Sequence, residues 1–288
     1  MTLPTAKEIK NQVQQALNED LGNEHNIQTG DVTAALIPEE KISIAQLICR
    51  DVAVLCGTAW FNTAFELLNQ DIKIEWFFSD GQEIKQNDIL CKISGNARDI
   101  LTAERTALNF LQTLSATATQ THHFVKAIEG TGCKILDTRK TIPGLRLAQK
   151  YAVTCGGGIN HRTGLYDMIL IKENHIHAAG SITEAIRQAR KIHPILKKEL
   201  NIEVEVETLD ELQEALNNKV DRILLDNMNI STLTQAVKLT GKKTDLEASG
   251  NITLENIRSI AETGVDYIST GALTKNINAI DFSLQFTG

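Results

Sequence analysis

The chain has 288 residues, a hydrophobic fraction of 42% and a formal net charge of -7 at pH 7. This length allows one large barrel or two smaller domains, and the apolar fraction is sufficient for a core. The acidic balance, with a pI of about 5.6, argues against a general nucleic-acid or membrane-surface binder.

The cysteines and the N-terminal residues predict a cytoplasmic protein. The five cysteines are scattered, form no CxxC pair and are not preceded by a secretory signal, which favours reduced thiols. The first ten residues include three charged side chains, Lys7, Glu8 and Lys10, so this segment lacks the apolar core of a signal peptide. No apolar run approaches the roughly 18 residues that a membrane span needs.

The first hundred residues predict an α+β module. Apolar positions at helical spacing predict an amphipathic helix over residues 5–21. Short β-branched runs between Ile42 and Ile93 predict an antiparallel sheet, interrupted by a helix from Thr58 to Leu68. The stretch from Ala103 to Ile128 has no Gly or Pro and predicts a long connecting helix.

After Gly130 the chain alternates between strand-like and helix-like segments. The strand-like runs are Lys134–Leu136, Met168–Ile171, Ile202–Val206, Arg222–Leu225, Asp245–Ala248 and Asp266–Ile268. Ser181–Glu184 and Thr208–Glu211 fit the capping-box pattern at helix starts. Such alternation indicates parallel strands with crossover helices. We therefore expect an α/β protein with an N-terminal α+β sandwich domain over 1–115, followed by an incomplete (open) α/β barrel over 116–274. The tail 275–288 could pack with the first domain.

A local group of basic residues stands out in this acidic chain. From Thr138 to Tyr166 there is no Asp or Glu, and the basic residues are Arg139, Lys140, Arg146, Lys150, His161 and Arg162. Guanidinium groups bind carboxylate and phosphate bidentately and stay charged when water is excluded. An ordinary charge run is more often a solvated basic face. The interleaved Pro143, Gly144 and Gly156–Gly158 favour a pocket for a small polyanion instead.

Charged and small residues also follow the predicted barrel strands. In chain order they are Asp137, Lys172, Glu205, Glu207, Asp226, Ser249–Gly250 and Thr270–Gly271. The active site of an α/β barrel is built from the carboxyl ends of its strands. In Glu203–Glu207, alternate residues are acidic, so three carboxylates share one face and would need lysines, a metal or both if that face is interior. An exposed edge strand with its acids in water is the alternative.

Several of these residues lie in segments that resemble the quinolinate phosphoribosyltransferase family. The matching segments are Glu104–Asn109, Asp137–Arg146, Gly156–Arg162, Ile171–His175, Glu203–Glu205, Leu224–Asn227, Glu247–Gly250 and Ile268–Gly271, with a weaker match at Gly30–Thr33. The eight segments are collinear and extend through nearly the whole chain after residue 100. The resemblance implies transfer of a phosphoribosyl group from phosphoribosyl pyrophosphate to quinolinate, which yields nicotinate mononucleotide, pyrophosphate and carbon dioxide in NAD biosynthesis.

The resemblance also implies roles for individual residues. Arg139, His161 and Arg162 would bind the quinolinate carboxylates, with Thr138 nearby. Arg105 would reach the site of a neighbouring subunit, which implies a homodimer with shared active sites, as such or within a higher oligomer.

The remaining implied roles concern the second substrate. Glu205 and Asp226 would hold the magnesium ion that accompanies pyrophosphate, with Lys140 and Lys172 between those acids and the substrates. The loops at Ser249–Gly250 and Thr270–Gly271 would bind the 5′-phosphate through backbone amides. Asn251 departs from the family, which more often has a second glycine there, and this raises a question about the geometry of that loop.

Three other functions are compatible with the residues alone. One is a close relative with changed specificity, such as the molybdenum-transport-associated homologues or a transferase for nicotinate. Another is a Schiff-base aldolase with Lys172 as the nucleophile. The third is a non-catalytic anion-binding protein. Retention of Arg139, His161 and Arg162 together favours a dicarboxylate substrate.

Overall fold

The computed structural model describes residues 4–22, 30–196 and 198–287, which divide into two compact units. The first unit contains the described residues up to His122, then Ile142–Gly157 and those from Asn276 onward. The second unit contains His123–Thr141 and Gly158–Lys275. The predicted bounds of 1–115 and 116–274 differ from this division mainly at one segment, because Ile142–Gly157 belongs to the first unit.

The described ranges contain both strands and helices along their whole length. The strands are β1 (Ile42–Cys49), β2 (Ala53–Val54), β3 (Lys73–Trp76), β4 (Glu83–Ile84), β5 (Ile89–Asn96), β6 (Lys134–Leu136), β7 (Ile169–Ile171), β8 (Ile202–Val206), β9 (Arg222–Asp226), β10 (Asp245–Ser249), β11 (Tyr267–Ser269) and β12 (Phe282–Phe286). The α-helices are α1 (Ala6–Leu21), α2 (Thr58–Leu68), α3 (Ala97–Ala127), α4 (Arg146–Cys155), α5 (Glu173–Ala179), α6 (Ile182–Leu196), α7 (Leu209–Asn217), α8 (Ile230–Thr240), α9 (Ile257–Ala261) and α10 (Ala272–Lys275). None of these helices combines the length and the apolar character that crossing a membrane requires.

An antiparallel sheet forms the first unit, as the short β-branched runs predict. Its strand order is β12-β1-β5-β3, and β2 and β4 form a separate two-stranded ladder. The aromatic side chains of Trp60, Phe61 and Phe65 on α2 are fully buried in this unit. Because β12 pairs with β1, the tail of the chain is part of this sheet.

Helix α3 begins six residues earlier than the apolar pattern predicts. The Asn96 side chain accepts a hydrogen bond from the Arg98 N–H at 2.9 Å, which satisfies one of the first backbone donors of the helix. Helix α4 packs closely on α3, since a Cβ atom at Gly156 would lie 2.3 Å from the Ala118 carbonyl oxygen. The buried Gln149 on α4 donates to Thr117 on α3 at 3.2 Å. These contacts explain why residues 142–157 belong to the first unit.

The second unit is built on six parallel strands, which confirms the predicted open α/β barrel. The strand order is β6-β11-β10-β9-β8-β7, so β6 and β7 are the two outermost strands of the sheet. The segment between these two strands in the chain includes α4, which belongs to the first unit. The sheet is therefore curved but not closed into a complete barrel.

One of the two predicted capping boxes is complete and the other is partial. At the start of α7, the Thr208 hydroxyl accepts from the Glu211 N–H at 3.2 Å, and the Glu211 carboxylate accepts from the Thr208 N–H at 3.1 Å. At the start of α6, the Ser181 hydroxyl accepts from the Glu184 N–H at 3.1 Å. The Glu184 carboxylate instead binds the guanidinium of Arg187, one turn further along the helix.

Candidate functional site

The carboxyl ends of the parallel strands meet along one edge of the sheet of the second unit. The register aligns Val206 with Leu225, Leu225 with Ala248, and Ala248 with Ile268. The polar residues that follow these positions therefore lie along the same edge. Within the second unit this edge holds the predicted site residues Thr138, Arg139, Lys140, Lys172, Glu205, Asp226, Ser249, Gly250, Asn251, Thr270 and Gly271.

The buried carboxylate of Asp137, at the end of β6, fixes the segment that returns to the second unit. Its Oδ1 accepts the backbone N–H of His161 at 2.9 Å, and its Oδ2 accepts the Asn160 side-chain amide at 2.6 Å. Ile159 forms a parallel bridge with Leu136, the residue before Asp137. These contacts place His161 and Arg162 beside the end of β6.

The His161 ring has a partner on each nitrogen and points into the protein. Its Nδ1 accepts the Arg162 N–H at 2.7 Å, so the ring proton belongs on Nε2. Nε2 lies 2.8 Å from Oε2 of Glu203, and the imidazole side chain is only 7% exposed. His161 thus connects the buried acids below the edge to the backbone of Arg162 at the edge.

Two arginines at this edge repel one another electrostatically. Burial, and then the positive charge of the neighbouring Arg139, lowers the pKa of Arg162. The Arg162 guanidinium also donates to the Met168 carbonyl at 3.4 Å. Since like charges destabilise one another, a bound ligand with several negative charges would stabilise this pair of arginines.

Below the edge, two glutamates are fully buried on strands β8 and β10. Glu203 and Glu247 are both 0% exposed, and Arg222 on the strand between them binds Oε2 of Glu247 at 3.1 Å. Arg222 is itself stacked on Tyr267, with 4.1 Å between the guanidinium carbon and the ring centroid. Both carboxylate oxygens of Glu203 and Oε1 of Glu247 have no hydrogen-bond partner among the described residues.

Burial makes both of these acids harder to ionise. Burial, and then the negative charge of Glu203, raises the pKa of Glu247 to about 7. Burial also raises the pKa of Glu203, against the positive charge of Arg222. One proton shared between the two carboxyl groups would satisfy an oxygen on each of them, because both groups otherwise only accept hydrogen bonds.

His161, Glu203 and Glu247 bring three possible metal-ligand atoms within 4.8 Å of one another. The positive charge of Arg222 next to Glu247 opposes a cation at this position. With the ring proton on Nε2, that nitrogen of His161 is not available as a ligand in this tautomer. The arrangement is a structural charge network rather than a metal centre.

The alternating acids of β8 differ in burial along the strand. Glu203 is fully buried, the Glu205 side chain is 15% exposed, and Glu207 is exposed. Glu205 forms an ion pair with Lys172, which follows β7. The expectation that lysines would accompany interior carboxylates is therefore met at Glu205, whereas Glu203 is paired with His161.

Asp226 and a tight loop after β10 form the next part of the edge. Oδ2 of Asp226 accepts the Asn227 side-chain amide at 2.7 Å, and Oδ1 of Asn227 accepts the Asn251 amide at 3.2 Å. Asn227 and Asn251 have φ values of 53° and 51°, and Gly250 has a φ of 99°. Asparagine tolerates this left-handed region better than most side chains, so Asn251 fits the loop without a second glycine.

Lys140 is held at the edge through its backbone and its side-chain stem. Its N–H donates to the Thr138 hydroxyl at 3.0 Å, and its carbonyl accepts from the Thr274 hydroxyl at 2.8 Å. A Cβ atom at Gly271 would lie 2.9 Å from Cδ of Lys140, so glycine makes room for the lysine stem.

Three of the basic residues that the sequence singled out lie in the first unit. Arg105 is exposed on α3, and Arg146 and Lys150 are on α4, where Lys150 is fully buried. The basic group predicted from residues 138–166 is thus divided between the two units.

Among the polar residues that support the edge, the sequence predicted Asp137 at a strand end and Glu203 on one face with Glu205 and Glu207, but no role was predicted for Arg222 or Glu247. The alternation of polar residues along β8, β9 and β10 is the pattern that could have identified them. Taken together, the edge of the second unit can bind a polyanion through Arg139, Lys140, Arg162 and Lys172. Its partly buried carboxylates, Glu205 and Asp226, are ligands of the kind that hard divalent cations prefer.

Two family models match consecutive parts of the chain. The model of the quinolinate phosphoribosyl transferase N-terminal domain matches residues 31–115. The model of the quinolinate phosphoribosyl transferase C-terminal domain matches residues 117–285. Together they cover most of the chain.

Individual relatives and a solved structure match the chain over most of its length. The chain is 40% identical over 294 aligned residues to a mitochondrial quinolinate phosphoribosyltransferase [decarboxylating] of Nicotiana glauca, covering 96% of this chain and 82% of that protein. It is 40% identical to a probable nicotinate-nucleotide pyrophosphorylase [carboxylating] of Bacillus subtilis, over 91% of this chain and 90% of the relative. The solved structure of the nicotinate-nucleotide pyrophosphorylase from Francisella tularensis superposes with a TM-score of 0.91 at 46% identity, covering 98% of this chain and 97% of that chain.

The glycine at position 250 should be required for steric reasons that another left-handed glycine lacks. A Cβ atom at Gly250 would lie 2.1 Å from Oδ1 of Asn227, whereas one at Gly180, with φ of 94°, would meet nothing within 4 Å. Gly180→Ala should cost about 1–2 kcal/mol from backbone strain alone. Gly250→Ala should cost about 1–3 kcal/mol more, since the loop must also shift. Urea unfolding of both variants measures the difference, and equal midpoints would contradict the steric argument.

The raised pKa of Glu247 predicts a specific pH dependence of stability. A carboxyl group with a folded pKa of about 7, above its model value of 4.5, favours the folded state below pH 4.5 and loses that contribution as the pH rises through 7. Relative to wild type, Glu247→Gln should therefore become more stable between pH 5 and pH 8, by up to about 3 kcal/mol. Asp245→Asn, an exposed acid on the same strand, is the control. Urea midpoints whose difference does not change with pH would show that Glu247 ionises normally.

Proposed function

The chain belongs to the quinolinate phosphoribosyl transferase family, and we propose that it converts quinolinate and phosphoribosyl pyrophosphate into nicotinate mononucleotide, pyrophosphate and carbon dioxide. This reaction belongs to NAD biosynthesis. The observation that best supports the proposal is that two arginines, Arg139 and Arg162, lie at the same edge as the carboxylates Glu205 and Asp226 and that the charge of Arg139 acts on Arg162. Quinolinate is a dicarboxylate, so it has the charge that such a pair of arginines binds.

Arg139 and Arg162 are proposed to bind the two carboxylates of quinolinate. Both are basic groups that keep their charge in a site from which water is excluded. His161 orients Arg162 through the hydrogen bond between its Nδ1 and the Arg162 N–H, at 2.7 Å. Thr138, whose hydroxyl accepts the Lys140 N–H at 3.0 Å, lies next to Arg139 in the chain and completes this part of the proposed pocket.

Glu205 and Asp226 are proposed to hold magnesium together with the pyrophosphate group. Their oxygen ligands fit this ion, which typically takes one or two carboxylates plus substrate phosphates. One oxygen of Glu205 contacts Lys172 and one oxygen of Asp226 contacts Asn227, so each carboxylate has a second oxygen outside these contacts. When bound, the metal would supply positive charge that stabilises the departing pyrophosphate.

Lys140 and Lys172 are proposed to stabilise the negative charge that develops on the leaving group. Lys172 is 44% exposed and already paired with Glu205, so it lies between an acid of the proposed metal site and the open edge. Lys140 is held by its backbone contacts to Thr138 and Thr274. Preorganised charges of this kind act where charge develops in the transition state.

The chemistry needs positioning more than proton transfer. The lone pair of the pyridine nitrogen attacks the anomeric carbon as pyrophosphate leaves, so no general base is required for this bond. The ring nitrogen then bears a positive charge, which stabilises the carbanion left by loss of the neighbouring carboxylate as carbon dioxide. The protein's task is to hold two anionic substrates together in reactive geometry, and the arginines and lysines of the edge are suited to it.

The loops after β10 and β11 are proposed to bind the 5′-phosphate. Ser249, Gly250 and Asn251 form one loop, and Thr270 and Gly271 form the other. Gly250 and Asn251 have positive φ values, so their backbone N–H groups are presented in a tight turn of the kind that forms anion-binding concavities.

We also propose that the protein acts as a homodimer with shared active sites in a reducing compartment such as the cytoplasm. Arg105 is exposed on α3 in the first unit, yet it lies in a segment that matches the family. A two-fold dimer is the commonest arrangement in which one subunit completes the site of another. The five cysteines are free thiols, which agrees with reducing conditions.

The direct test of the proposed function is carbon dioxide release that depends on both quinolinate and phosphoribosyl pyrophosphate. Nicotinate in place of quinolinate is the control, because it has one carboxylate and cannot be decarboxylated at the same position. Pyrophosphate release with nicotinate but not with quinolinate would identify a nicotinate transferase instead.

Removal of either proposed carboxylate-binding arginine should weaken quinolinate binding. Arg139→Ala and Arg162→Ala should each cost roughly 1.5–3 kcal/mol, since each leaves a desolvated carboxylate without its charged partner. Titration calorimetry with quinolinate measures this directly. Arg187→Ala, which removes an exposed arginine of α6 paired with Glu184, should bind like wild type. Normal binding by both edge variants would mean that quinolinate binds elsewhere.

Loss of one proposed metal ligand should affect turnover more than substrate binding. Asp226→Asn should lower metal-dependent turnover by about 2.7–4 kcal/mol, the typical effect of removing one group that stabilises transition-state charge. Its affinity for quinolinate should change far less. Glu207→Gln, an exposed acid after the neighbouring strand, is the matched control. Wild-type turnover with unchanged magnesium dependence in Asp226→Asn would refute the assignment.

Subunit mixing tests the shared site. Arg105→Ala and Lys172→Ala should each be nearly inactive alone. After subunit exchange, a mixed dimer contains one site with neither substitution, so part of the activity should return. Mixing two separate preparations of Arg105→Ala should restore none. If heterodimers form and no activity returns, Arg105 acts within its own subunit.

A further inference from the structure

A pair of cysteines in the first unit forms a polar cluster that the proposed reaction does not use. The Sγ atoms of Cys56 and Cys155 and a carboxylate oxygen of Asp80 lie within 4.8 Å of one another. The Tyr151 hydroxyl completes the cluster by donating to Oδ2 of Asp80 at 2.9 Å. None of these four residues is among the proposed substrate or metal ligands.

Helix α3 holds both cysteines through contacts with their backbones. The Cys56 N–H donates to the Ser115 hydroxyl of α3 at 2.9 Å, and that hydroxyl donates to the Cys56 carbonyl at 3.1 Å. Cys155 is the last residue of α4, and Gly156 next to it lies against the Ala118 carbonyl of α3. The two thiols come from segments about a hundred residues apart, and they meet because both segments pack on one helix.

The contacts of Asp80 favour a thiol pair over a metal centre. Oδ1 of Asp80 accepts the N–H groups of Gly57 and Thr58 at 3.1 and 3.2 Å, at the start of α2. Its Oδ2 accepts the Tyr151 hydroxyl. The carboxylate is therefore engaged as a helix cap, and two sulfurs remain, whereas a structural zinc site takes four ligands.

The two thiols differ in exposure and in acidity. Cys56 is fully buried, and burial raises its pKa. Cys155 is partly exposed, and hydrogen bonding with the Cys56 thiol, and second with Tyr151, lowers its pKa. By contrast, burial raises the pKa of Cys133, the partly exposed thiol of the second unit, to about 12. Cys155 is thus the more reactive thiol, with Cys56 in position to react next.

We propose that Cys56 and Cys155 form a reversible disulfide when the protein meets a hydroperoxide. The Cys155 thiolate attacks the peroxide oxygen, the O–O bond breaks, and Cys155 becomes a sulfenic acid while hydroxide leaves. The Cys56 sulfur then attacks the Cys155 sulfur, the S–S bond forms, and the sulfenic oxygen leaves as water with the Cys56 proton. With hydrogen peroxide, two thiols are oxidised and one peroxide is reduced to two waters. A dithiol reductant restores both thiols by exchange.

The two sulfurs must approach one another by rotation of the side chains to form this bond. A disulfide requires sulfurs about 2.05 Å apart. The Sγ atoms are within 4.8 Å, so rotation about the Cα–Cβ bonds has only a short gap to close.

The reduced wild-type protein, treated with one equivalent of hydrogen peroxide, provides the test. Two of the five thiols should be lost, dithiothreitol should restore them, and peptide mass mapping should find Cys56 linked to Cys155. Cys133→Ser should also lose two thiols, because its thiol takes no part. Cys56→Ala should stop at the sulfenic acid of Cys155, which dimedone traps.

Several results would overturn the proposal. One is a peptide map of the wild type in which Cys155 is oxidised and Cys56 remains a free thiol. Others are a disulfide between a different pair, or retention of all five thiols. Retention of one equivalent of zinc through desalting, with both thiols protected, would identify a metal site instead. The wild-type map decides the question even if Cys56→Ala fails to fold.

Discussion

The edge of the second unit depends on the buried carboxylate of Asp137. The chain leaves this unit after β6, forms α4 in the first unit and returns at Ile159. Asp137 receives both the Asn160 amide and the His161 N–H, so it joins the returning segment to the strand that the chain left. A buried carboxylate without such donors is costly by several kcal/mol, so the returning backbone has one favourable position. The location of Arg162 and the tautomer of His161 follow from it.

Most of the second unit could be predicted from its sequence because each strand is a short apolar run before a polar end. The runs predicted at Lys134–Leu136 and Ile202–Val206 match the observed strands, and the others differ by one or two residues. Periodicity does not identify which helix belongs to which unit. The segment 142–157 joins the first unit because α4 presents small and polar residues that fit closely on α3, as at Gly156 and Gln149. That fit is a property of two distant segments together.

The rule that barrel sites lie at strand ends was enough to identify Lys172, Glu205 and Asp226 as residues of one edge. It did not identify Arg222 or the buried Glu247, and for Glu203 alternation predicts a face shared with Glu205 and Glu207 but not whether protein or water covers that face. Asn251 shows a similar limit. The sequence indicates a departure from glycine there, and only the backbone φ of 51° explains why asparagine fits. The acids below the edge and on it have different surroundings. Glu247 is fully buried, which raises its pKa, whereas Glu205 forms an ion pair with Lys172.

The pairing of β12 with β1 affects the order in which the protein can fold as it is synthesised. Leu47 lies opposite Leu284, and Cys49 lies opposite Phe282, so neighbouring strands of one sheet are far apart in sequence. The ribosome must synthesise more than two hundred residues after β1 before the outer strand β12 exists. Until then β1 has an unpaired edge, which is a template for pairing with other chains. The strands of the second unit lie between Lys134 and Ser269, so all of them are synthesised before β12. The N-terminal unit is therefore the one that finishes last.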